Sequence, residues 1–285
     1  MLIYVNGAFV DEKEAVISPY DHGYLYGLGV FETFRVYNGH PFLFRDHYER
    51  LTTALSYLNI QWTLTKKDVL AIVDELLKRN SIQNARIRLN VSAGIGEVGL
   101  QTKSYGTPSC IMFIHPLPDD IEIVEKVGAI LKQCRNTPEG DFRLKSHHYL
   151  NNILGKREIG DTPHKEGIFL TKDGYVAEGI VSNLFFVANG VLCTPSLETG
   201  ILNGITRSFI LRLANTLGIP TKEGLFTKEE LLKSDEVFVT NSIQEIVPLR
   251  SVDSVAFVGK EGTVTCKLLD AYGAYRHTLR SRYEI

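Results

Sequence analysis

The sequence predicts an α+β fold in two domains, on three observations. Asn-Gly pairs at 6–7 and 38–39 lie between alternating apolar stretches, the pattern of antiparallel hairpins. Helical stripes and strand-like runs are mixed in both halves, with the strands mostly antiparallel. The stretch HPLPDD, residues 115–120, combines two prolines with two acids and reads as a linker. The domains are therefore placed at 1–114 and 123–285, joined by 115–122.

Each element follows from its own pattern. LIYV and AFV flank the first Asn-Gly turn, and VFETFRVY and HPFLF flank the second. In DHYERLTTALSYLNI, Tyr48, Leu51, Leu55 and Leu58 share a helical stripe, and Asp46 with Glu49 has the spacing of a capping box. A second helix starts at Thr65, with Asp68 three residues on. ARIRLNVSAG sets Ile87, Leu89 and Val91 against Arg86, Arg88 and Asn90, which predicts a strand with one polar face, and PSCIMFIHP is another strand. The second half reads as strand KVGAILKQC, helix YLNNILGKREIG, strands EGIFLT and GYVAEGIVSNLFFV around Asp173-Gly174, helix TRSFILRLANTLG and strand EVFVTN.

A chain of 285 residues, 44% hydrophobic and 22% charged, is long enough for a large core and excludes disorder. With 31 basic and 33 acidic residues it lacks the field to hold a nucleic acid or an anionic membrane, which leaves small molecules and the chain itself as partners. The start lacks a basic region followed by an apolar core, and no stretch approaches the roughly 20 apolar residues of a membrane span, so a cytoplasmic protein is expected. Cys110, Cys134, Cys193 and Cys266 are far apart, without a CxxC pair, and are read as buried thiols.

Several motifs are candidates for chemistry. GIGEVG, residues 94–99, fits G-x-G-x-x-G, and Asp119 lies 20 residues beyond its last glycine, but no helical stripe follows; a glycine-rich loop describes it better than a dinucleotide site. His147-His148 point apart in either regular structure and have no nearby partners to complete a metal site, so one packed and one hydrogen-bonded histidine is expected. No G-x-S-x-G offers a serine nucleophile.

Four further features combine. Lys145, in FRLKSHHYLNN, stands at a junction where an ammonium must be paired, deprotonated or covalently engaged. In TGILNGITR, Gly200 and Gly204 lead to a helix start whose amides, at Ile205 and Thr206, suit a phosphate, the plainer alternative being a helix entrance that Thr206 caps. Arg50 lies off its helix's apolar stripe, able to reach inward or to sit on the surface, and Glu178 is an acid at a strand end before a glycine. Together these supply what pyridoxal 5′-phosphate requires: an amine, an acid for the ring nitrogen and donors for the phosphate.

At these residues the chain resembles the fold-type IV pyridoxal phosphate enzymes, the class IV aminotransferase family. The likeness runs through YVNGAFV, SPYDHGYLYGLGVFETFR, HYERL, FRLKSHHYLNN, VAEGIVSN, GILNGITR and FVTNSIQEIVPL. It implies a two-domain fold like that of the D-amino acid aminotransferases, with the cofactor between the domains, usually in a homodimer. It implies Lys145, carried by the C-terminal domain, as the Schiff-base lysine and catalytic residue, and Glu178 as the partner of the ring nitrogen. Arg50 resembles the phosphate arginine, Ile205 and Thr206 the backbone and hydroxyl phosphate ligands, Ser242 another phosphate hydroxyl, and Tyr149 a tyrosine that some members place near the phenolic oxygen.

SPYDHGYLYGLGVFETFR, RNTPEG, FRLKSHHYLNN and KREIG are most similar to the aminodeoxychorismate lyases of Gram-positive bacilli. That likeness implies elimination of pyruvate from 4-amino-4-deoxychorismate, giving 4-aminobenzoate for folate biosynthesis, with Lys145 taking the proton at the amine-bearing carbon. A dianionic substrate calls for cations, for which Arg88 is the first candidate and Arg143 the second. Thr33 is a candidate for proton handling. The alternatives are a D-amino acid or branched-chain amino acid aminotransferase and a noncatalytic protein that binds the cofactor; the resemblance implies that a D-amino acid aminotransferase grips the substrate carboxylate with an arginine in the loop after RIRLNVSAG, and here that loop, GIGEVGLQTKSYG, has none. No metal is expected.

Overall fold

A hydrophobic strand face has to be covered, and both parts of the chain solve this by laying helices on a sheet. The computed structural model describes residues 1–118 and 122–285. The chain divides into two compact units, one of 1–120, 144–148 and 277–284, the other of 121–143, 149–276 and 285.

The first unit holds strands β1 (Leu2–Val5), β2 (Ala8–Asp11), β3 (Gly29–Tyr37), β4 (His40–Pro41), β5 (Ala85–Ser92) and β6 (Ser109–Pro116), with helices α1 (His22–Tyr26), α2 (Phe44–Tyr57) and α3 (Lys66–Asn80). The strands form an antiparallel sheet in the order β2-β1-β6-β5-β3-β4. Both Asn-Gly hairpins are present, and all four turn residues have the left-handed φ that such turns demand: 45° and 99° at Asn6 and Gly7, 49° and 78° at Asn38 and Gly39. Val30, Phe34, Val36, Ile87, Leu89 and Val91 face a core that includes Leu51 and Leu55 of α2 and Val69, Val73 and Leu76 of α3. On the opposite face of β3 and β5, Phe31, Thr33 and Arg35 pair with Asn90, Arg88 and Arg86.

Helix α3 begins with the expected capping box of Thr65 and Asp68. Helix α2 does not: its N-cap is Leu43, with left-handed φ, and Asp46 instead accepts hydrogen bonds from the Arg282 amide at 2.9 Å and its Nη1 at 2.6 Å. The strand expected to end at 114 continues through His115 and Pro116, paired with Arg86 and Ala85, so the linker placed at 115–122 starts too early; its residues 119–121, including Asp119, lie outside the described residues. Residues 94–99 lead into no helix and are tied to α1, through His22 Nε2 to the Glu97 carbonyl at 2.9 Å and the Gly99 amide to Tyr26 Oη at 2.7 Å. The dinucleotide reading is thereby excluded, since the loop opens no helix onto a phosphate.

The second unit holds β7 (Lys126–Ile130), α4 (Leu150–Ile159), β8 (Lys165–Leu170), β9 (Val176–Gly179), β10 (Asn183–Ala188), β11 (Val191–Pro195), α5 (Ile205–Thr216), β12 (Thr221–Gly224), α6 (Lys228–Leu232), β13 (Glu236–Asn241), β14 (Glu245–Val252), β15 (Val255–Ala256) and α7 (Thr263–Tyr275). Its sheet runs β12-β11-β10-β13-β14-β7-β8-β9, with β15 on β14. Three pairings, β7 with β8, β7 with β14 and β11 with β12, are parallel. Lys145 was expected in the C-terminal domain; the correction is that 144–148 belongs to the first unit, because this segment pairs with β3. The Phe31 amide donates to the Lys145 carbonyl at 2.9 Å, the His147 amide donates to the Gly29 carbonyl at 3.0 Å, and Leu144 packs on the first core. Of the four thiols, Cys110 and Cys193 are buried, Cys266 is half-buried and Cys134 is exposed, so the expectation of four buried thiols fails at Cys134, in the loop after β7, and at Cys266, in α7.

Candidate active site

Pairing with β3 fixes the backbone of Lys145 and sends its Nζ to 4.8 Å from the centroid of the Phe31 ring. Arg88 reaches the same ring, its Cζ 3.9 Å from the centroid and its Nε donating to Asn90 Oδ1 at 3.0 Å. Thr33 is the cross-strand partner of Arg88. Both cations thus gather on one aromatic surface, an arrangement favoured by the ring's quadrupole. His147 stacks on Phe31 as well, 6.2 Å and 25° from it, and packs against Gly29, and burial with help from Arg88 lowers its pKa; His148 packs its ring against Gly27. Among the described residues no cluster of three or more metal-ligating side chains occurs.

Glu32 is an acid on the otherwise apolar core face of β3, 2% exposed. Two residues of α2 satisfy it: Arg50 donates from Nε at 2.7 Å and from Nη2 at 2.8 Å, and His47 donates from Nδ1 at 2.6 Å. Burial raises the carboxyl, but Arg50 and His47 overcome it and hold the group at about 2. Such a two-pronged bond fixes the plane of the guanidinium. Arg50 is therefore a rigidly oriented cation rather than a surface one.

The second unit assembles the remaining candidates. Glu178, at the end of β9, is 4% exposed. Its Oε1 accepts from Arg135 Nε at 2.8 Å, and its Oε2 accepts from the Leu202 amide at 3.1 Å and from Asn183 Nδ2 at 3.3 Å. Burial pushes its pKa up against the pull of Arg135 and Arg143. Helix α5 opens at Ile205 behind Gly204, with no side-chain cap, so Thr206 lies inside the first turn instead of capping it. Its hydroxyl is 3.4 Å from that of Ser242 in the turn between β13 and β14. An uncapped helix start with two convergent hydroxyls is an anion cradle. A Cβ on Gly204 would stand 2.0 Å from Asn183 Oδ1, which explains a glycine there. Tyr149 is the N-cap residue of α4.

Arg143 is otherwise engaged. Its Nε donates to the Gly200 carbonyl at 2.5 Å and its Nη2 to the Asn136 carbonyl, with Glu178 at 3.9 Å, and burial beside Arg135 brings its pKa down to about 10. Its donors order the loop around Glu178. Arg135 and Asn183, which bond Glu178, and Glu32 and His47, which join Arg50 in one cluster, were not singled out from the sequence. A signal was present for Arg135, which opens RNTPEG.

Residues 29–252 match the family model described as amino-transferase class IV. The chain belongs to this family. Among class IV relatives, aminodeoxychorismate lyase of Bacillus subtilis (strain 168) is 50% identical over 94% of this chain and 92% of its own. A putative branched-chain-amino-acid aminotransferase of Methanocaldococcus jannaschii is 38% identical over 95% of each chain. The solved T.th. branched-chain amino acid aminotransferase, complexed with N-(5′-phosphopyridoxyl)-L-glutamate, superposes with a TM-score of 0.88 at 27% identity, covering 99% of this chain and 96% of that one. The class IV family implies pyridoxal 5′-phosphate, and the residues present fit it: an amine on an aromatic surface, a clamped arginine, a buried acid and an uncapped helix start with two hydroxyls.

Proposed function

We propose that this protein is a 4-amino-4-deoxychorismate lyase, dependent on pyridoxal 5′-phosphate, that releases pyruvate and forms 4-aminobenzoate for folate biosynthesis. The observation that carries the reading is the half-identity, across nearly the whole of both chains, with the Bacillus subtilis lyase. When bound, the cofactor supplies an electron sink for negative charge on the amine-bearing carbon of the substrate.

The chain's own residues have distinct tasks in this reading. Lys145 Nζ would hold the cofactor's aldehyde carbon and, as a free amine, would take the proton from the amine-bearing carbon of the substrate. Arg50, the Ile205 and Thr206 amides and the Thr206 and Ser242 hydroxyls hold the phosphate. Glu178 keeps the ring nitrogen protonated, and Tyr149 stands by the phenolic oxygen. Arg88, steadied by Asn90 and Phe31, meets a substrate carboxylate, with Thr33 beside it. Loss of that proton and of enolpyruvate from the neighbouring ring carbon would aromatise the ring, and Lys145, by taking back the aldehyde carbon, would release the aromatic amine. Enolpyruvate then becomes pyruvate by taking up a proton.

The test supplies freshly made aminodeoxychorismate and, separately, a D- or branched-chain amino acid with 2-oxoglutarate. Stoichiometric 4-aminobenzoate and pyruvate are expected; rapid amino-group transfer without aminobenzoate favours the second reading, an aminotransferase, which the Methanocaldococcus relative supports. Lys145→Ala is expected to abolish borohydride-trappable cofactor, and Glu178→Gln to retain it with poor turnover. Arg88→Met is expected to raise KM for the dianion at least tenfold, about the worth of a charge-assisted contact, while borohydride trapping stays intact. The same reading carries a cytoplasmic homodimer, checked by sedimentation. Among the described residues no helix is long and apolar enough to cross a membrane.

A further inference from the structure

Three polar side chains with no part in the chemistry above are buried together in the second unit: Lys126 at 6%, Glu166 at 4% and Ser182 at 7% exposure. Lys126 opens β7 and Glu166 lies in β8, its parallel neighbour. Lys126 Nζ donates to Glu166 Oε2 at 3.1 Å and to Gln244 Oε1 at 3.0 Å, and Ser182 Oγ donates to Glu166 Oε1 at 2.8 Å.

A buried ion pair contributes little net stability, because desolvation offsets the attraction, and its best-attested use is to fix one arrangement over others. Here the arrangement is specific at both ends. The carboxylate grips Ser182, in the turn that leads from Glu178 to Asn183; that turn closes through the Gly179 amide and the Ser182 carbonyl at 2.8 Å. It is so tight that a Cβ on Gly179 would lie 2.1 Å from Ser182 Oγ and 2.6 Å from Glu166 Oε1. The ammonium grips Gln244, in the turn that carries Ser242. That turn is also closed by Asn241 Oδ1, which accepts from the Ile243 and Gln244 amides at 2.9 and 2.8 Å.

We infer that Lys126 and Glu166 are a positioning pair that sets the spacing of two cofactor-holding turns, the Glu178 turn for the ring nitrogen and the Ser242 turn for the phosphate. The inference rests on the cofactor roles proposed above for Glu178 and Ser242.

The test uses the full chain stripped of cofactor, titrated with pyridoxal 5′-phosphate and with pyridoxal, which lacks the phosphate, alongside thermal melts of the stripped protein. Gln244→Ala cuts only the Ser242 side; it is expected to weaken the phosphorylated form about tenfold, the loss of a hydrogen bond to a charged group, and to leave pyridoxal binding unchanged. Ser182→Ala cuts only the Glu178 side and is expected to weaken both forms by a similar factor. Lys126→Met with Glu166→Leu, an apolar pair of similar bulk, is expected to keep the melting temperature and weaken pyridoxal 5′-phosphate by more than either single change. Folded variants that bind both forms like the wild type overturn the inference, as does equal loss of both forms in Gln244→Ala. Should the paired replacement fail to fold, the two single variants decide alone. A wild type that binds neither form overturns the cofactor assignment itself.

Discussion

Glu178 and Arg135 show how one residue sets the state of another. A carboxylate buried alone takes up a proton, because an apolar surrounding disfavours its charge. Arg135 opposes this from 2.8 Å, and is itself held in place by Asn151 Oδ1 at 2.6 Å from its Nη1. Burial thus raises the pKa of the acid while Arg135 and Arg143 pull it down. Arg135→Gln removes the stronger of its two cationic neighbours. The folded-state pKa then rises further above its unfolded value, so stability is retained at low pH and lost as pH rises through the widened interval. Thermal melts of the cofactor-free variant and wild type at pH 5 and pH 8 are expected to differ little at the lower pH and by about 3 kcal/mol or more at the higher, the cost of leaving one partner of a buried pair alone. Equal destabilisation at both values would place Arg135 in a purely steric role.

At the level of elements, β3 carries two kinds of information on its two faces, and only one was legible in advance. The alternation in VFETFRVY and RIRLN announced β3 and β5, and the Asn-Gly turns announced the pairing of β1 with β2 and of β3 with β4, because period-two burial and left-handed φ are local demands. Glu32 on the core face was not legible, since its partners Arg50 and His47 come from α2 and only the packed structure brings them together. For the same reason Asp46 looked like half of a capping box, while its partner Arg282 is 236 residues away. The β3–α2 link has an acid signature. Glu32 is held at about 2 in the fold against an ordinary value of 4.5, so its contribution is complete above that ordinary value and disappears as pH falls through the interval. The shift corresponds to about 3 kcal/mol. Glu32→Gln is expected to lower stability at pH 7 and to flatten the loss that the wild type suffers between pH 4.5 and 2, as read from urea midpoints across that range. An unchanged acid limb in the variant would show that other carboxylates govern it.

For the whole molecule, the boundary drawn from the sequence assigned Lys145 to the wrong unit. A linear boundary cannot express a chain that returns, and two short segments, 144–148 and 277–284, belong with the unit that residues 1–120 begin. The second of these holds the first unit closed. The Leu43 amide donates to the Leu279 carbonyl at 3.2 Å, the Arg45 amide to the Arg280 carbonyl at 2.9 Å, and Leu279 is 6% exposed. Arg282 supplies both its amide and its guanidinium to Asp46, whose side chain is wholly buried. Arg282→Met leaves that carboxylate buried without its cation and is expected to cost about 3–5 kcal/mol. Arg282→Met with Asp46→Leu removes both charges, and most of the loss is expected to be recovered, because the penalty lies in the unpaired charge and not in the absence of the bridge. Deleting 277–285 should be worse than either, since it also uncovers the contacts of Leu279, and limited proteolysis should then cut within residues 1–118. If the paired replacement is as unstable as Arg282→Met alone, the segment is held by its backbone bonds and apolar packing, and the ion pair is incidental to the closure.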